Sequence, residues 1–390
     1  MSTLLFGVDK LLGMQPHWKH LRIGMVTNEA ATTNGLVPSR LALQKAGYNI
    51  VLLFSPEHGL NAKGADGAVM LNGIDELTDL PIVSLYGHKL APDETDLAAI
   101  DLLLFDIPDI GVRFYTYLWT LTHVLEAAAK HQKPLVVLDR PNPLSGDISA
   151  VEGPLLEAST ASFIGRWPIP LRHSCTMGEL AHYFNCTQKI GATLEVIACE
   201  GWNRNEYQLD WQIGFVPTSP AIQNFNSILL YPGLCLLEAT NISEGRSTPL
   251  SFQVAGAPWI NHGAVCSSLN AIMDGELEAI PIEFLPRENK YAGEICKGIQ
   301  LSVTDPISFR SVFFGLILLK VLKGMHPSEF KFTAYKTHVN PSGINHLDKL
   351  LGIPNSEALF ELPFVEFLRR ITVLTAAPNW KATIAGYLMY

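Results

Sequence analysis

The sequence predicts an α/β protein in which a doubly wound, mostly parallel sheet is followed by a smaller α+β domain. Short apolar segments alternate with helical segments over the first half of the chain, as expected for parallel strands joined by helices. Three of these strands end in or next to a carboxylate: Glu57, Asp106 and Asp139. Because ligands bind beyond the carboxyl ends of the strands in such sheets, we expect a site at this edge.

The first domain contains six predicted strands and four predicted helices. The strands are 22–27, 49–54, 81–85, 101–106, 134–139 and 193–198, and the helices are 38–46, 93–100, 115–131 and 176–184. Thr176 followed three residues later by Glu179 has the pattern of a capping box, which predicts a structural role for that glutamate. The glycine-rich segment 62–73 has no apolar period and is predicted to be a loop over the site.

The chain changes character after the last of these strands. Residues 202–226 combine prolines and aromatic residues without regular periodicity and are interpreted as the passage between domains. We therefore predict a catalytic domain at 1–226 and a second domain at 227–390. The second domain is predicted to contain the loop 241–249, the helices 262–273 and 309–323, and the strand 300–303.

Composition excludes several classes of protein. The 390 residues are 48% hydrophobic and 17% charged, which indicates a packed globular chain and excludes extensive disorder. A net charge of −9 without any Lys/Arg-rich run argues against nucleic acid as a partner. The longest apolar run, 312–319, is far shorter than the roughly 18 residues of a membrane span. The oligomeric state is not readable from the sequence.

The sequence also predicts where the protein acts and whether it needs a cofactor. The segment 1–9 has neither the basic start nor the apolar length of a signal peptide, so a cytoplasmic location is expected. Six widely spaced cysteines fit reduced thiols better than a disulfide framework. Nucleotide-binding glycine motifs are absent, and the histidines have no metal-ligand spacing. We therefore predict no cofactor and no metal.

The segment Ser55–Leu60 carries the sharpest chemical signal. The buried strand stops at Pro56, which cannot donate to a strand ladder, and a carboxylate and an imidazole follow as Glu57 and His58. These two side chains could form a catalytic pair at the sheet edge, or the glutamate could cap a helix while the histidine packs beside it. Polar side chains are also dense in 106–117, 139–142 and 241–246, a composition typical of carbohydrate sites.

Several longer motifs resemble a known family. They are SPEHG (55–59), GVRFYTY (111–117), VLDRPNP (137–143), VEGP (151–154), PLRHSCTMGELA (170–181), YPGLCLLEATNISEGR (231–246), GAPW (256–259) and KYAGEICKGIQLSVTD (290–305). These motifs occur in the order typical of the bacterial exo-β-N-acetylmuramidases, and the resemblance runs from about residue 21 to the C-terminus. That family implies a Rossmann-like N-terminal domain without a nucleotide, a smaller C-terminal domain and a cleft between them.

The resemblance also implies a reaction and a set of site residues. The reaction is release of N-acetylmuramic acid from the non-reducing end of peptidoglycan fragments, with Glu57 as the leading catalytic carboxyl group, His58 beside it and Glu244 as its candidate partner. The other residues expected to line the cleft are Arg113, Tyr115, Tyr117, Asp139, Arg140, Asn142, Arg172, His173, Asn241 and Arg246.

The lactyl carboxylate of muramic acid requires a cation in the site. Arg113 and Arg172 are the leading candidates, while Arg140 is expected to pair with Asp139. Either a second carboxylate or the acetamido oxygen of the substrate would attack the anomeric carbon. Two alternatives remain at this point: a Rossmann-like hydrolase of another amino sugar, and a protein that binds muropeptides without cleaving them.

Overall fold

The computed structural model describes residues 3–390. Residues 1 and 2 lie outside the described residues. The predicted first domain and the N-terminal segment both begin with them. The strands of the first domain are β1 Ile23–Thr27, β2 Ile50–Ser55, β3 Gly73–Ile74, β4 Pro81–Ser84, β5 Leu102–Asp106, β6 Leu135–Leu138 and β7 Leu194–Ile197. Its helices are α1 Gly7–Leu12, α2 Ser39–Lys45, α3 Glu94–Ala98, α4 Tyr117–Lys130 and α5 Met177–Thr187.

These strands form one seven-stranded sheet in the order β3-β4-β2-β1-β5-β6-β7. All neighbouring pairs are parallel except β3 with β4, so the predicted α/β fold is confirmed. All five residues of β1 and of β5 are buried, as expected for central strands covered by helices on both faces. All six predicted strands are present. The edge strand β3 was missed because two exposed residues carry no periodic signal.

The predicted capping box at the start of α5 is confirmed. Thr176 accepts a hydrogen bond from the backbone N–H of Glu179, and the Glu179 carboxylate accepts one from the backbone N–H of Thr176 at 3.0 Å. The same carboxylate forms an ion pair with Arg204, so it is fully occupied by structural contacts. Its role is therefore to fix the start of this helix.

The second domain contains a small antiparallel sheet and six helices. The strands β8 Val254–Ala257, β9 Leu277–Phe284 and β10 Cys296–Val303 pair in the order β8-β10-β9. The helices are α6 Phe225–Leu234, α7 His262–Met273, α8 Ser311–Met325, α9 His346–Leu351, α10 Phe364–Thr375 and α11 Trp380–Ile384. Only glycine fits where α6 crosses α8, since a Cβ on Gly315 would lie 2.5 Å from Gly233 Cα.

The end of the chain returns to the first domain. Trp380 donates its indole N–H to the carbonyl of His173 at 3.0 Å, and the Tyr390 hydroxyl donates to Asp139 at 2.7 Å. One large hydrophobic cluster includes residues of both domains, so the two halves of the chain are packed together. Within residues 3–390, none of the helices combines the length and the hydropathy that a membrane span requires.

Candidate active site

A cavity of about 210 Å³ lies beyond the carboxyl ends of β2 and β4. The first domain contributes Glu57, Asp66 and Tyr86, together with the segment that leads into α4. The second domain contributes residues that directly follow α6, the loop 335–340 and one face of α9. A cavity that residues of both domains line is the kind of place in which small-molecule ligands bind.

This cavity is displaced from the usual ligand crevice of such a sheet. Strand order reverses between β1 and β5, and ligands of doubly wound folds bind at that point. Here the guanidinium of Arg140 lines the crevice and donates to Asp106 through Nε at 2.6 Å and Nη2 at 3.0 Å. It also donates to the carbonyl of Thr32 at 2.7 Å. Arg140 therefore pairs with Asp106, not with Asp139 as predicted, and ties β5 to the loop after β1.

Glu57 lies at the bottom of the cavity and is 5% exposed. Its Oε2 accepts a hydrogen bond from the Thr116 hydroxyl at 2.6 Å, and its Oε1 accepts one from the Gly67 N–H at 3.1 Å. Burial raises the pKa of Glu57 above its ordinary value, and the carboxylate of Asp66 adds to that effect, while His58 and Thr116 oppose it. The raised pKa widens the pH range over which the carboxyl group keeps its proton, as a general acid requires.

His58 and Asp66 flank this glutamate. His58 adopts a left-handed backbone conformation, with φ of 66°, and its Nδ1 lies 2.8 Å from the carbonyl of Gly64. One side-chain ligand atom from each of Glu57, His58 and Asp66 can be chosen so that all three lie within 4.8 Å of one another. Sequence spacing did not reveal this group, because Asp66 lies on the glycine-rich loop. The three side chains could hold a cation, so the absence of a metal stays a prediction that needs a chelator test.

A buried ionic network forms the wall contributed by the second domain. Arg246 forms ion pairs with Glu238 and, through Nε at 3.0 Å, with Glu244, and it lies 3.7 Å from Asp66. His346 Nε2 contacts Glu238 at 3.1 Å. Burial alone would raise the pKa of Glu238, but Arg246 and His346 together lower it to about 2. Glu238 is therefore ionised at neutral pH.

Aromatic rings form an apolar surface next to these charges. Tyr231 makes edge-to-face contacts with Phe114, Tyr115 and Phe252, with ring centroids 5.3, 5.9 and 4.7 Å apart. The hydroxyl of Tyr115 donates to Thr218 Oγ1 at 2.6 Å, which fixes its ring. Flat apolar faces beside charged and hydrogen-bonding groups suit a sugar ring and its substituents.

Of the predicted site residues, the fold brings Glu57, His58, Tyr115 and Arg246 to the cavity. Nine others lie outside its lining: Arg113, Tyr117, Asp139, Arg140, Asn142, Arg172, His173, Asn241 and Glu244. These side chains instead support the loops behind the cavity wall. Buried polar side chains need hydrogen-bond partners, and these find them in one another or in the backbone.

The two arginines predicted to bind a carboxylate are examples. Arg113 is fully buried and donates to the carbonyls of Pro154, Ile169 and Leu350 at 2.7, 2.8 and 3.0 Å. Arg172 donates to the carbonyl of Leu144 at 2.6 Å and to the Tyr207 hydroxyl at 3.3 Å. Both guanidinium groups are thus used to join loops to one another, and the expectation that they line the cleft is wrong.

The remaining polar side chains are held in the same way. Asp139 accepts hydrogen bonds from Thr176 Oγ1, the Gly178 N–H and the Tyr390 hydroxyl at 2.7, 2.8 and 2.7 Å. Asn142 and Asn241 bond to backbone groups, Tyr117 donates to the carbonyl of Thr218, and His173 lies 3.4 Å from Asp109. These contacts explain why such side chains follow strand ends without facing the cavity.

Glu244 has a different neighbourhood from the one predicted. It is 2% exposed, and its carboxylate contacts Lys290 at 3.1 Å as well as Arg246. It pairs with Arg246 and does not line the cavity, so this position does not support a direct role on the substrate. Glu238, six residues earlier in the same motif, is the carboxylate that lines the cavity.

Sequence reasoning also missed residues in the segment 335–350. Tyr335 donates to Asp66 at 2.6 Å and stacks on His346 with ring centroids 4.8 Å apart, and Lys349 completes this side of the cavity. The segment carries no long apolar period and no quoted motif, so its return to the sheet edge had no sequence signal. Thr116 and Glu238 lay inside quoted motifs and could have been found there.

Comparison with known proteins identifies the family to which the chain belongs. A family model described as exo-β-N-acetylmuramidase NamZ, N-terminal, matches residues 23–226, and the corresponding C-terminal model matches residues 229–390. A peptidoglycan β-N-acetylmuramidase NamZ from Bacillus subtilis (strain 168) is 39% identical over 328 residues, which are 84% of this chain and 79% of that protein.

Solved structures agree with this match. A DUF1343 family protein from Bacteroides fragilis NCTC 9343 superposes with a TM-score of 0.86 at 26% identity and covers 99% of both chains. A second DUF1343 family protein from the same organism has a TM-score of 0.74 at 25% identity, covering 100% of this chain and 99% of its own. Because the two family models together span both domains, this chain belongs to the NamZ family of exo-β-N-acetylmuramidases.

Proposed function

We propose that this protein is an exo-acting glycoside hydrolase that releases N-acetylmuramic acid from the non-reducing end of peptidoglycan fragments. The observation that carries the proposal is the position of Glu57, a buried carboxyl group with a raised pKa at the bottom of a cavity enclosed by both domains. A relative of the same family, 39% identical, is a peptidoglycan β-N-acetylmuramidase.

In this proposal Glu57 donates its proton to the glycosidic oxygen as the bond to the leaving sugar breaks. The proton comes from a carboxyl group whose burial favours the neutral form, and positive charge develops on the ring of the bound sugar. The ionised Glu238 and the nearby Asp66 supply negative charge to the cavity, which stabilises the positive charge that develops on the sugar ring.

The group that attacks the anomeric carbon has three candidates. Asp66 and Glu238 are the further carboxylates of the cavity lining, and the acetamido oxygen of the substrate is the third. Glu238 is held by Arg246 and His346, whereas Asp66 lies on the loop after β2 and receives a hydrogen bond from Tyr335. Measuring which anomer of the released sugar forms first would separate an inverting reaction from a retaining one.

The test of the proposal uses chromogenic glycosides. The protein should hydrolyse a nitrophenyl β-glycoside of N-acetylmuramic acid and should act much less on the N-acetylglucosamine glycoside, which lacks the lactyl group. Equal or better cleavage of the glucosamine compound would indicate a hydrolase of another amino sugar. Binding of muramic acid compounds without cleavage of any glycoside would indicate a binding protein, and either result would contradict the proposal.

We also propose that the protein acts in the cytoplasm, on fragments that have been imported. All six cysteines are free thiols, with five buried and Cys186 exposed, which suits a reducing compartment. Cell fractionation with a tagged chain would test this location, and recovery of the protein outside the cytoplasm would contradict it.

A further inference from the structure

The muramic acid residue differs from glucosamine by a lactyl ether that ends in a carboxylate. A carboxylate that enters an enclosed cavity loses hydration, and that loss must be offset by a positioned cation or by hydrogen-bond donors. The basic side chains that line the cavity are His58, Arg246, His346 and Lys349. The question is which of them is available to a substrate carboxylate.

Three of these four already face carboxylates of the protein. Arg246 contacts Glu238 and Glu244. His346 contacts Glu238 at 3.1 Å, and His58 lies in the same group as Glu57 and Asp66. A substrate carboxylate placed against any of these cations would lie close to one or more like charges, which is unfavourable. The carboxylates around these three side chains thus disfavour binding of a substrate carboxylate there.

Lys349 is different from the other three. It is half-buried on α9, and among residues 3–390 it forms no ion pair with a carboxylate. Its ammonium donates to Oδ1 of Asn340 at 2.8 Å. Burial lowers the pKa of Lys349, because the ammonium loses hydration there. Without a carboxylate partner, the ammonium is available to an anionic acceptor.

Asn340 supplies a second donor at the same place. Since an ammonium can only donate, the amide oxygen of Asn340 must face Lys349, which fixes the position of the amide nitrogen. That nitrogen, Nδ2, is buried and has no hydrogen-bond partner among the described residues. Buried donors without an acceptor are uncommon in folded proteins, and an unpartnered donor in a cavity wall indicates a place for a ligand.

The backbone holds the asparagine in this position. The N–H of Asn340 donates to Thr337 Oγ1 at 3.1 Å, and the carbonyl of Asn340 accepts from the N–H of Thr337 and the N–H of Gly343 at 3.2 and 3.1 Å. The amide nitrogen and the ammonium thus lie on two supported elements, the loop 335–343 and α9. The ammonium of Lys349 and Nδ2 of Asn340 are two donors on either side of one amide oxygen. This arrangement matches the two oxygens of a carboxylate.

We propose that Lys349 and Asn340 form the binding site for the lactyl carboxylate of the terminal muramic acid residue. The assignment rests on the proposed function, and it adds the residues that would distinguish muramic acid from glucosamine. It replaces Arg113 and Arg172, which do not line the cavity and whose guanidinium groups donate to backbone carbonyls.

The experiment compares two substrates of equal shape, the chromogenic β-glycoside of N-acetylmuramic acid and the same glycoside with its lactyl group as a carboxamide. Wild-type protein should prefer the acid. Lys349→Met should lower kcat/KM for the acid at least about 30-fold and change that for the amide by less than about threefold, since only the acid loses a charged partner.

Asn340→Asp provides an isosteric second variant. The new carboxylate should pair with Lys349 and occupy the ammonium, so kcat/KM for the acid should fall at least about tenfold while the amide is affected less. Lys349→Arg should recover part of the preference for the acid. Lys381→Met, which removes an exposed lysine from α11, is the matched control and should behave as wild type.

The outcomes separate this inference from the proposed function. If wild-type protein cleaves neither muramic compound, the proposed function fails. If wild-type protein cleaves them but shows no preference for the acid, or if folded Lys349→Met and Asn340→Asp keep the wild-type preference, the enzyme is a muramidase and the carboxylate site is wrong. Thermal melting of each variant shows whether it is folded.

Discussion

The hydroxyl of Thr116 donates a 2.6 Å hydrogen bond to Oε2 of Glu57. Thr116 directly precedes α4, and Glu57 follows β2, so the contact joins two loops at the carboxyl edge of the sheet. A hydroxyl donor stabilises an ionised carboxylate more than a neutral one, and this contact lowers the pKa of Glu57 against the larger opposing effect of burial.

Thr116→Val should therefore move the pH profile of the enzyme. Glu57 must be protonated to act as an acid, so activity falls as pH rises through its pKa. Without the hydroxyl the pKa rises further, and the alkaline limb of kcat/KM should shift upward by at least about half a pH unit. Valine keeps the shape of threonine. A shift of the limb to lower pH would contradict the assigned direction, and an unchanged limb would show that another group controls it.

The network around Arg246 makes a prediction about stability. Arg246→Met leaves Glu238 and Glu244 buried without their shared cation, and loss of one partner of a buried ion pair costs about 3–5 kcal/mol. The free energy of unfolding from a urea titration at neutral pH should fall by about that amount. Arg287→Met, which removes an exposed arginine, is the control and should have a small effect. A fall below about 1 kcal/mol for Arg246→Met would contradict the network's stabilising role.

The lowered pKa of Glu238 gives the same network a pH dependence. A carboxyl group whose pKa falls from 4.5 to about 2 on folding stabilises the protein above pH 4.5. That stabilisation should be lost as pH falls from about 4.5 toward about 2. Glu238→Gln should therefore lose less stability than wild type over this window, as measured by melting at successive pH values. A parallel decline of the two proteins would contradict the prediction.

A substitution at Arg172 distinguishes a structural role of this side chain from a role in substrate binding. Its guanidinium donates to the carbonyl of Leu144, so Arg172→Leu leaves that acceptor unpaired and should lower the free energy of unfolding by about 1–3 kcal/mol. The preference for the muramic acid glycoside over its carboxamide should stay at the wild-type value, because the side chain does not line the cavity. Loss of that preference in a folded variant would restore the sequence-based assignment.

A chelator tests the prediction that the reaction needs no metal. Activity should be unchanged after dialysis against EDTA, because the proposed proton transfer uses the side chain of Glu57 alone. The group formed by Glu57, His58 and Asp66 makes the test necessary, since these side chains could ligate a cation. Loss of activity that zinc or magnesium restores would show that the group is a metal site.

The fold was predictable from sequence because buried parallel strands have a local signature. The apolar runs of β1, β2 and β5 stand between helical segments, and each was placed within one or two residues of its observed bounds. The edge strand β3 and the strands β8 and β9 were missed. Their residues are partly exposed or few in number, so neither an apolar run nor a clear alternation marks them.

The site was predictable only in part, because motif membership does not say which way a side chain points. Tyr115 and Arg246 face the cavity, whereas Arg113 and Glu244, from the same two motifs, lie behind its wall. Lys349 was not predicted at all, since it reaches the cavity through a tertiary contact between a late helix and an early loop. Contacts of that kind depend on the packing of both domains and leave no local pattern in the sequence.

The role of Glu57 as general acid is tested by the activity of Glu57→Gln on substrates with different leaving groups. General acid catalysis typically contributes about 10²–10⁴-fold, so this variant should cleave a muramic acid–glucosamine disaccharide at least about 10²-fold more slowly than wild type. A dinitrophenyl glycoside of muramic acid, whose leaving group needs little protonation, should be cleaved with a much smaller loss. Melting and binding of N-acetylmuramic acid should show that the variant is folded. A folded variant that keeps more than about a tenth of the activity on the disaccharide would contradict the assignment of Glu57 as the general acid, as would equal losses on both substrates.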